Sequence, residues 1–285
     1  MDNSSLHKAI ISSFLQNQRP PTISEIAAHF QCSEMTAQKG LQALADYHGV
    51  VLHPHSDEVW VAYPFSAAPT TCIVSSGERK WWGNCAWCSL GVMHLAGCTS
   101  TLKIRLGAIG DEVSITVENG ELLDKDYVIH FPIPMRNAWD NVIFTCSVML
   151  LFRNEAEVDE WCSTRGIPKG DVRPIEQIWK FATEWYGRHS DLDWTKWSLH
   201  DAVKMFQRHN LTGPVWSIGG DAERFWALSI HTQSGTITHK TAFCLAICLL
   251  IFEMISIPTI KRWRISGLLQ IYQLIVEMDF YSITE

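Results

Sequence analysis

Asn84-Cys85-Ala86-Trp87-Cys88-Ser89-Leu90-Gly91-Val92-Met93-His94-Leu95-Ala96-Gly97 is an apolar run that opens on two cysteines three residues apart and stops at a glycine. The composition predicts a helix from about Asn84 through Leu95, and Gly97 is a suitable terminator. Positions three apart share a helix face, so the sulfurs of Cys85 and Cys88 are expected to point to one spot. Near a helix N-terminus the macrodipole lowers a thiol pKa, which predicts thiolate character here. Such a pair can bind a soft metal, exchange disulfides, or supply a nucleophile beside an acid. A structural zinc site would need a second pair at finger spacing, and none follows. Cys72 and Cys98 are the candidates to complete a four-cysteine set.

Outward from this stretch, the chain reads as α+β. Leu6, Ile10, Ile11, Phe14 and Leu15 make one helical face. Pro20-Pro21 breaks it, and Thr22 with Glu25 forms a capping-box pattern before Ile26, Ala27 and Phe30. Ser33 can cap a third helix carrying Met35, Leu41 and Leu44. Val50 to Leu52 and Val59 to Val61, joined by a turn, look like a β-hairpin wing. Residues 1–65 therefore read as a winged-helix-like subdomain. Its fixed cations are Lys8, Arg19 and Lys39, against Asp2, Glu25, Glu34, Asp46, Asp57 and Glu58. A DNA reader needs several Lys or Arg contacts to phosphate, so a structural subdomain is the expectation and nucleic acid is not an expected partner.

Residues 66–218 read as a mixed sheet-and-helix catalytic domain. Strands are expected at Leu102–Leu106, Val113–Val117 and Tyr127–Phe131, with a turn at Asn119-Gly120. Asn141 to Phe152 is nearly continuous apolar sequence around Cys146, fitting a buried strand or a short buried helix. Helices are expected at Glu155–Cys162, Ile175–Tyr186 and Leu199–His209. Residues 219–285 form an apolar tail of uncertain status. Thr241 to Ile260 approaches membrane-span length, but Glu253 and Pro258 interrupt it. A membrane contact, a packed helix and a non-native extension all stay open for it, and no function is built on it.

The composition is 47% hydrophobic and 19% charged, which predicts a sizeable core. The net charge of −7 argues against nonspecific binding to phosphate backbones or anionic membranes. Nine cysteines, an odd number, and an opening Met1-Asp2-Asn3-Ser4-Ser5 without secretory character predict thiols in a reducing, cytoplasmic setting. Trp81, Trp82, Trp87, Trp139 and Trp161 flank the cysteine segments and suit either an aromatic-walled pocket or ordinary core packing. Cys32, Cys98 and Cys162 read as small buried apolar residues, and Cys244 and Cys248 as filling in the tail.

The 84–97 stretch resembles the first catalytic motif of the organomercurial lyase (alkylmercury lyase) family, Trp-Cys-Ala-x-Asp followed by an apolar helix ending in Gly. The family cysteine falls on Cys85, and the family aspartate falls on Cys88. Ser114-Ile115-Thr116-Val117 is similar to a family strand, and Cys146, Phe152 and Trp161 reproduce the spacing of the second cysteine motif. The resemblance spans roughly residues 5 to 190, including the winged helix. It implies an enzyme that cleaves a carbon–mercury bond by protonolysis. Thiolates suit mercury because both are soft. On this likeness Cys85 and Cys146 are the mercury ligands, and Cys88 stands where the proton shuttle belongs. All three are then candidate catalytic and metal-binding residues. No cofactor is implied, and the partners are a small organomercurial and a soluble thiol or reductase that accepts the ion. The cysteine in place of aspartate leaves two further readings. One is other small-molecule thiol chemistry on the same scaffold, and the other is a noncatalytic soft-metal or redox protein. No nearby carboxylate clearly replaces the aspartate, since Asp111 and Glu112 lie at an expected turn and Glu78 precedes the motif; Ser89 and His94 are the other polar candidates, each with a bland packing or capping role.

Overall fold

The computed structural model describes residues 1–218, and the apolar tail with the expectations for it lies outside them. Three capped helices open the chain: α1 (Asn3–Asn17), α2 (Ile23–His29) and α3 (Glu34–Asp46). Asp2 and Ser33 accept backbone N–H bonds at the starts of α1 and α3, and Thr22 with Glu25 completes the expected capping box at α2. Each such cap is worth on the order of 1 kcal/mol. Leu6, Ile10, Ile11 and Phe14 turn inward from α1, and Leu41 and Leu44 from α3. The wing is the antiparallel pair β1 (Val51–Leu52) and β2 (Val59–Ala62).

The wing does not end the sheet. β2 pairs with β3 (Phe65–Ser66), and β3 with β5 (Arg79–Gly83). β4 (Cys72–Ser76) lies between β5 and β6 (Ser100–Arg105), followed by β7 (Glu112–Glu118) and β8 (Glu121–Leu122). The result is one eight-stranded antiparallel sheet, ordered β1-β2-β3-β5-β4-β6-β7-β8. Across it, α1 is tied to β5: the Trp81 indole N–H donates to the Phe14 carbonyl at 2.6 Å, and the Lys80 amide donates to Gln18.

Between β5 and β6 the chain makes α4 (Ala86–Ala96), the helix expected from the opening stretch. Residues 86–93 are all buried, because α4 packs on β4, β5 and β6 and also against α7 (Ile175–Gly187). A helix covered on two sides must be apolar around its circumference, which is why no polar stripe breaks its sequence. A smaller sheet has β9 (Val128–Phe131) at its centre, flanked antiparallel by β10 (Leu151–Phe152) and β11 (Asp171–Pro174). The 141–152 run divides: Asn141 caps the short helix α5 (Val142–Ser147), and the chain then extends into β10. Helices α6 (Glu155–Arg165) and α8 (Leu199–Arg208) complete the described body. The α+β class is as expected from the sequence.

Candidate active site

Cys85 is the N-cap of α4: its extended backbone starts the helix, and its sulfur accepts the Cys88 N–H at 3.3 Å. Cys88 lies one turn in, on the same side. Cys146 arrives from the last turn of α5. The three sulfurs lie within 4.8 Å of one another, and all three residues are buried. For scale, metal–thiolate bonds of about 2.3 Å, the zinc value, hold two sulfurs about 4.6 Å apart in line. The spacing therefore admits one soft ion between any two of them.

All seven described cysteines are free thiols. Cys72 and Cys98 do not join the cluster, so a four-sulfur set is not formed among the described residues. Cys98 is exposed at the far end of α4, whereas Cys72 is buried nearby on β4.

The thiolate character expected from the helix terminus is not found. Burial pushes the Cys85 and Cys88 thiols well above the usual range. Cys146 is raised as well, first by its contact with Cys85 and then by burial. The Cys88 amide does favour a Cys85 thiolate, but withdrawing a charge from water outweighs one N–H and the helix field. The resting site is a set of neutral thiols.

A cavity of about 80 Å³ opens beside Cys88 and Cys146. A single water needs roughly 10–15 Å³ on the same kind of measure, so a small organic group fits. Its walls are aromatic: Trp87, Trp139, Trp185, Trp194 and Trp197 all contribute. Of the five flanking tryptophans, only Trp87 and Trp139 line it. Trp81 instead bonds to α1, and Trp161 packs on Phe152 and donates to the Gly107 carbonyl. Trp185, Trp194 and Trp197 lie far along the chain from the cysteine motifs, so no local signal marked them.

No carboxylate lines this cavity. Asp111 pairs with Arg153 on the surface, and Glu78 and Glu112 are exposed, so none of them replaces the missing aspartate. Ser89 donates to the Cys85 carbonyl at 2.7 Å, a helix-internal bond. His94 sits near the other end of α4, against Trp179. What does approach Cys88 is Tyr186 of α7, whose buried hydroxyl lies 3.4 Å from the sulfur. The Tyr63 hydroxyl is also buried and faces the cluster, in contact with Cys146. Burial, and then the nearby sulfurs, raise both phenols well above their usual values, so both are neutral hydroxyls. A tyrosine at an inward position of an amphipathic helix needs a polar partner, and that was the available hint for Tyr186.

A second cavity, of about 290 Å³, lies on another side of the cluster and touches Cys85 and Cys146. Cys72 and Asn84 also line it.

The alkylmercury lyase family model matches residues 65–187. Among solved structures, the chain is similar to one described as the mercury-bound form of MerB2, at 20% identity and a TM-score of 0.54. That match covers 66% of this chain and 91% of the other. No curated protein matches the chain. At that identity the structural likeness speaks for the fold. The stretch that matches the alkylmercury lyase model, residues 65–187, contains all three clustered cysteines.

Proposed function

We propose that this protein is an organomercurial lyase that cleaves a carbon–mercury bond by protonolysis at Cys85, Cys88 and Cys146. The observation that carries the reading is the convergence of three buried thiols within 4.8 Å beside an aromatic-walled cavity. Soft sulfur ligands match mercury, and apolar walls match its organic substituent.

The chemistry balances as follows. A substrate R–Hg–X reaches a neutral thiol; a sulfur–mercury bond forms, and HX leaves with the thiol proton. Binding the ion offsets the high thiol pKa, since coordination stabilises the thiolate. The second ligand, Cys85 or Cys146, displaces the carbon, while Cys88 delivers a proton to it as the C–Hg bond breaks. The products are R–H and mercury(II) held by two sulfurs. The proton of the second ligand restores Cys88, so two cysteine protons are consumed, one to X and one to R. No redox change and no cofactor enter this scheme. A soluble thiol or a reductase then takes the ion.

A second reading has one observation in its favour: Cys88 is a third sulfur where the family has a carboxylate. Three sulfurs would hold mercury(II) more firmly than two and slow its release, giving a trap. One assay separates the two. Purified protein given phenylmercury with excess thiol is expected to release benzene faster than thiol alone, and Cys85→Ser and Cys146→Ser are expected to abolish the difference. Cys88→Asp should raise the rate. Stoichiometric mercury binding with no benzene above the thiol-only rate, all three cysteines being reduced, would reject the lyase reading.

A further inference from the structure

The three sulfurs stand between two cavities and do not share them equally. The aromatic cavity touches Cys88 and Cys146 but not Cys85, whereas the larger one touches Cys85 and Cys146 but not Cys88. We propose that the larger cavity is the docking site for a small aliphatic thiol that carries mercury(II) away from the protein. The placement of the organic group rests on the lyase reading above, because the carbon must lie within reach of Cys88. That puts R in the aromatic cavity and leaves the other side of a mercury ion on Cys85 and Cys146 facing the larger one.

The two cavities suit different guests. A thiol acceptor is polar and loses hydration on entering the aromatic cavity, which is walled by five tryptophans and has Lys196 as its one fixed charge. The larger cavity is lined by exposed Pro69, Thr71 and Ser147, so it opens to solvent. Asn84 lines it too, and its side-chain amide, which interacts with Cys146, sets a polar group in the cavity wall. At about 290 Å³ against about 80 Å³, it also has the more room.

The exchange is a ligand substitution. An incoming thiol R′–SH forms an Hg–S bond, one cysteine sulfur leaves mercury, and that cysteine takes the thiol proton. A second R′–SH repeats the step, giving Hg(SR′)₂ and two protein thiols, with mercury at +2 throughout.

The test loads the full-length protein with one equivalent of mercuric chloride, so it does not depend on turnover of an organomercurial. Free cysteine is then added, and the mercury left on the protein is measured after rapid desalting at timed intervals. Thr71→Trp and Ser147→Trp fill the larger cavity from its exposed rim and are expected to slow transfer about tenfold by limiting access to the bound ion. Val142→Trp, in the aromatic cavity, is expected to leave transfer within about twofold of the natural protein on the same access argument. If Val142→Trp slows transfer and the rim variants do not, or if all three respond alike, the proposal is overturned. Should one rim variant not fold, the other decides the outcome. Absence of benzene release with rim-dependent mercury transfer would reject the lyase reading and leave the exit site standing.

Discussion

Cys88 and Tyr186 meet at 3.4 Å inside the protein, and the chemistry asked of Cys88 depends on that contact. A neutral thiol is a usable proton donor, but after donating it is a buried thiolate. Tyr186 is the group positioned to stabilise that thiolate by donating its hydroxyl hydrogen. It touches Cys88 and also lines the aromatic cavity, and because its part in proton transfer runs through Cys88 it is a positioning residue. Tyr186→Phe keeps the ring packing and removes the oxygen. The expected result is a fall in kcat for benzene release of about tenfold, the scale of one hydrogen bond to a charged group, with KM little changed. The alkaline limb of the kcat profile should also move. A kcat and pH profile identical to the natural protein would show that the hydroxyl only packs. This scale also marks where sequence reading succeeds and fails. Cys85 and Cys88 are legible because helix periodicity joins them, and Cys146 because its spacing to Phe152 and Trp161 matches a family motif. Tyr186 stands 98 residues from Cys88 in the chain, and only tertiary packing brings it there.

Among the elements, α4 shows most directly how sequence and site are coupled. Gly91 faces α7, and a Cβ placed there would overlap the Tyr186 ring, 2.7 Å from its Cγ. Glycine is a poor helix former, costing about 1 kcal/mol relative to alanine. Here it permits the close approach of α4 and α7 that sets Tyr186 against Cys88. Gly91→Ala is therefore expected to be destabilising by about 1–3 kcal/mol, the usual cost of overpacking, in spite of the better propensity. Denaturant unfolding measures this, and a stability gain would mean that the helices can separate freely. The same coupling explains which elements were legible. Helices α1, α2 and α3 announce themselves by caps and apolar spacing. Strands β3, β4 and β5 do not. β3 has only two residues, and β5 reads Arg79-Lys80-Trp81-Trp82-Gly83, where two exposed cations precede the tryptophans and mask alternation. The turn between β4 and β5 relies on Gly77 at φ +58°, a single-residue signal. The apolar run 141–152 was ambiguous because burial removes the polar marks that separate helix from strand. Asn141 resolves it by capping α5.

For the whole molecule, the histidines between α1 and the segment after α7 set the response to acid. His7 is fully buried on α1, stacked on Trp194 at 3.5 Å and 5.1 Å from His189, and neither ring nitrogen of His7 has a partner. Burial and then His189 hold His7 well below the ordinary histidine value; burial takes His189 down to about 3 and His48 to about 4. As pH falls below 6.5, the unfolded chain binds protons that these folded residues refuse, so stability is full above that pH and declines below it. Thermal unfolding at pH 7.5, 6.5 and 5.0 is expected to show a Tm that is level between the first two and lower at the third. A Tm that is unchanged at pH 5.0 would contradict the neutral burial of these rings. The buried thiols act at the other extreme: their raised values contribute stability that is lost as pH climbs past the ordinary thiol value of 9.0.

His48 and Tyr63 precede the 65–187 stretch that matches the family model, and His189, Trp194 and Trp197 follow it, yet all five form walls of the aromatic cavity. Kinship and workspace thus have different boundaries in this chain. A fragment trimmed to the recognisable stretch would keep all three clustered sulfurs and lose part of the wall beside them. Its cysteines would be less shielded from water and oxidants, and the N-terminal subdomain, which reads as a spare part in the sequence, helps to enclose them through His48 and Tyr63.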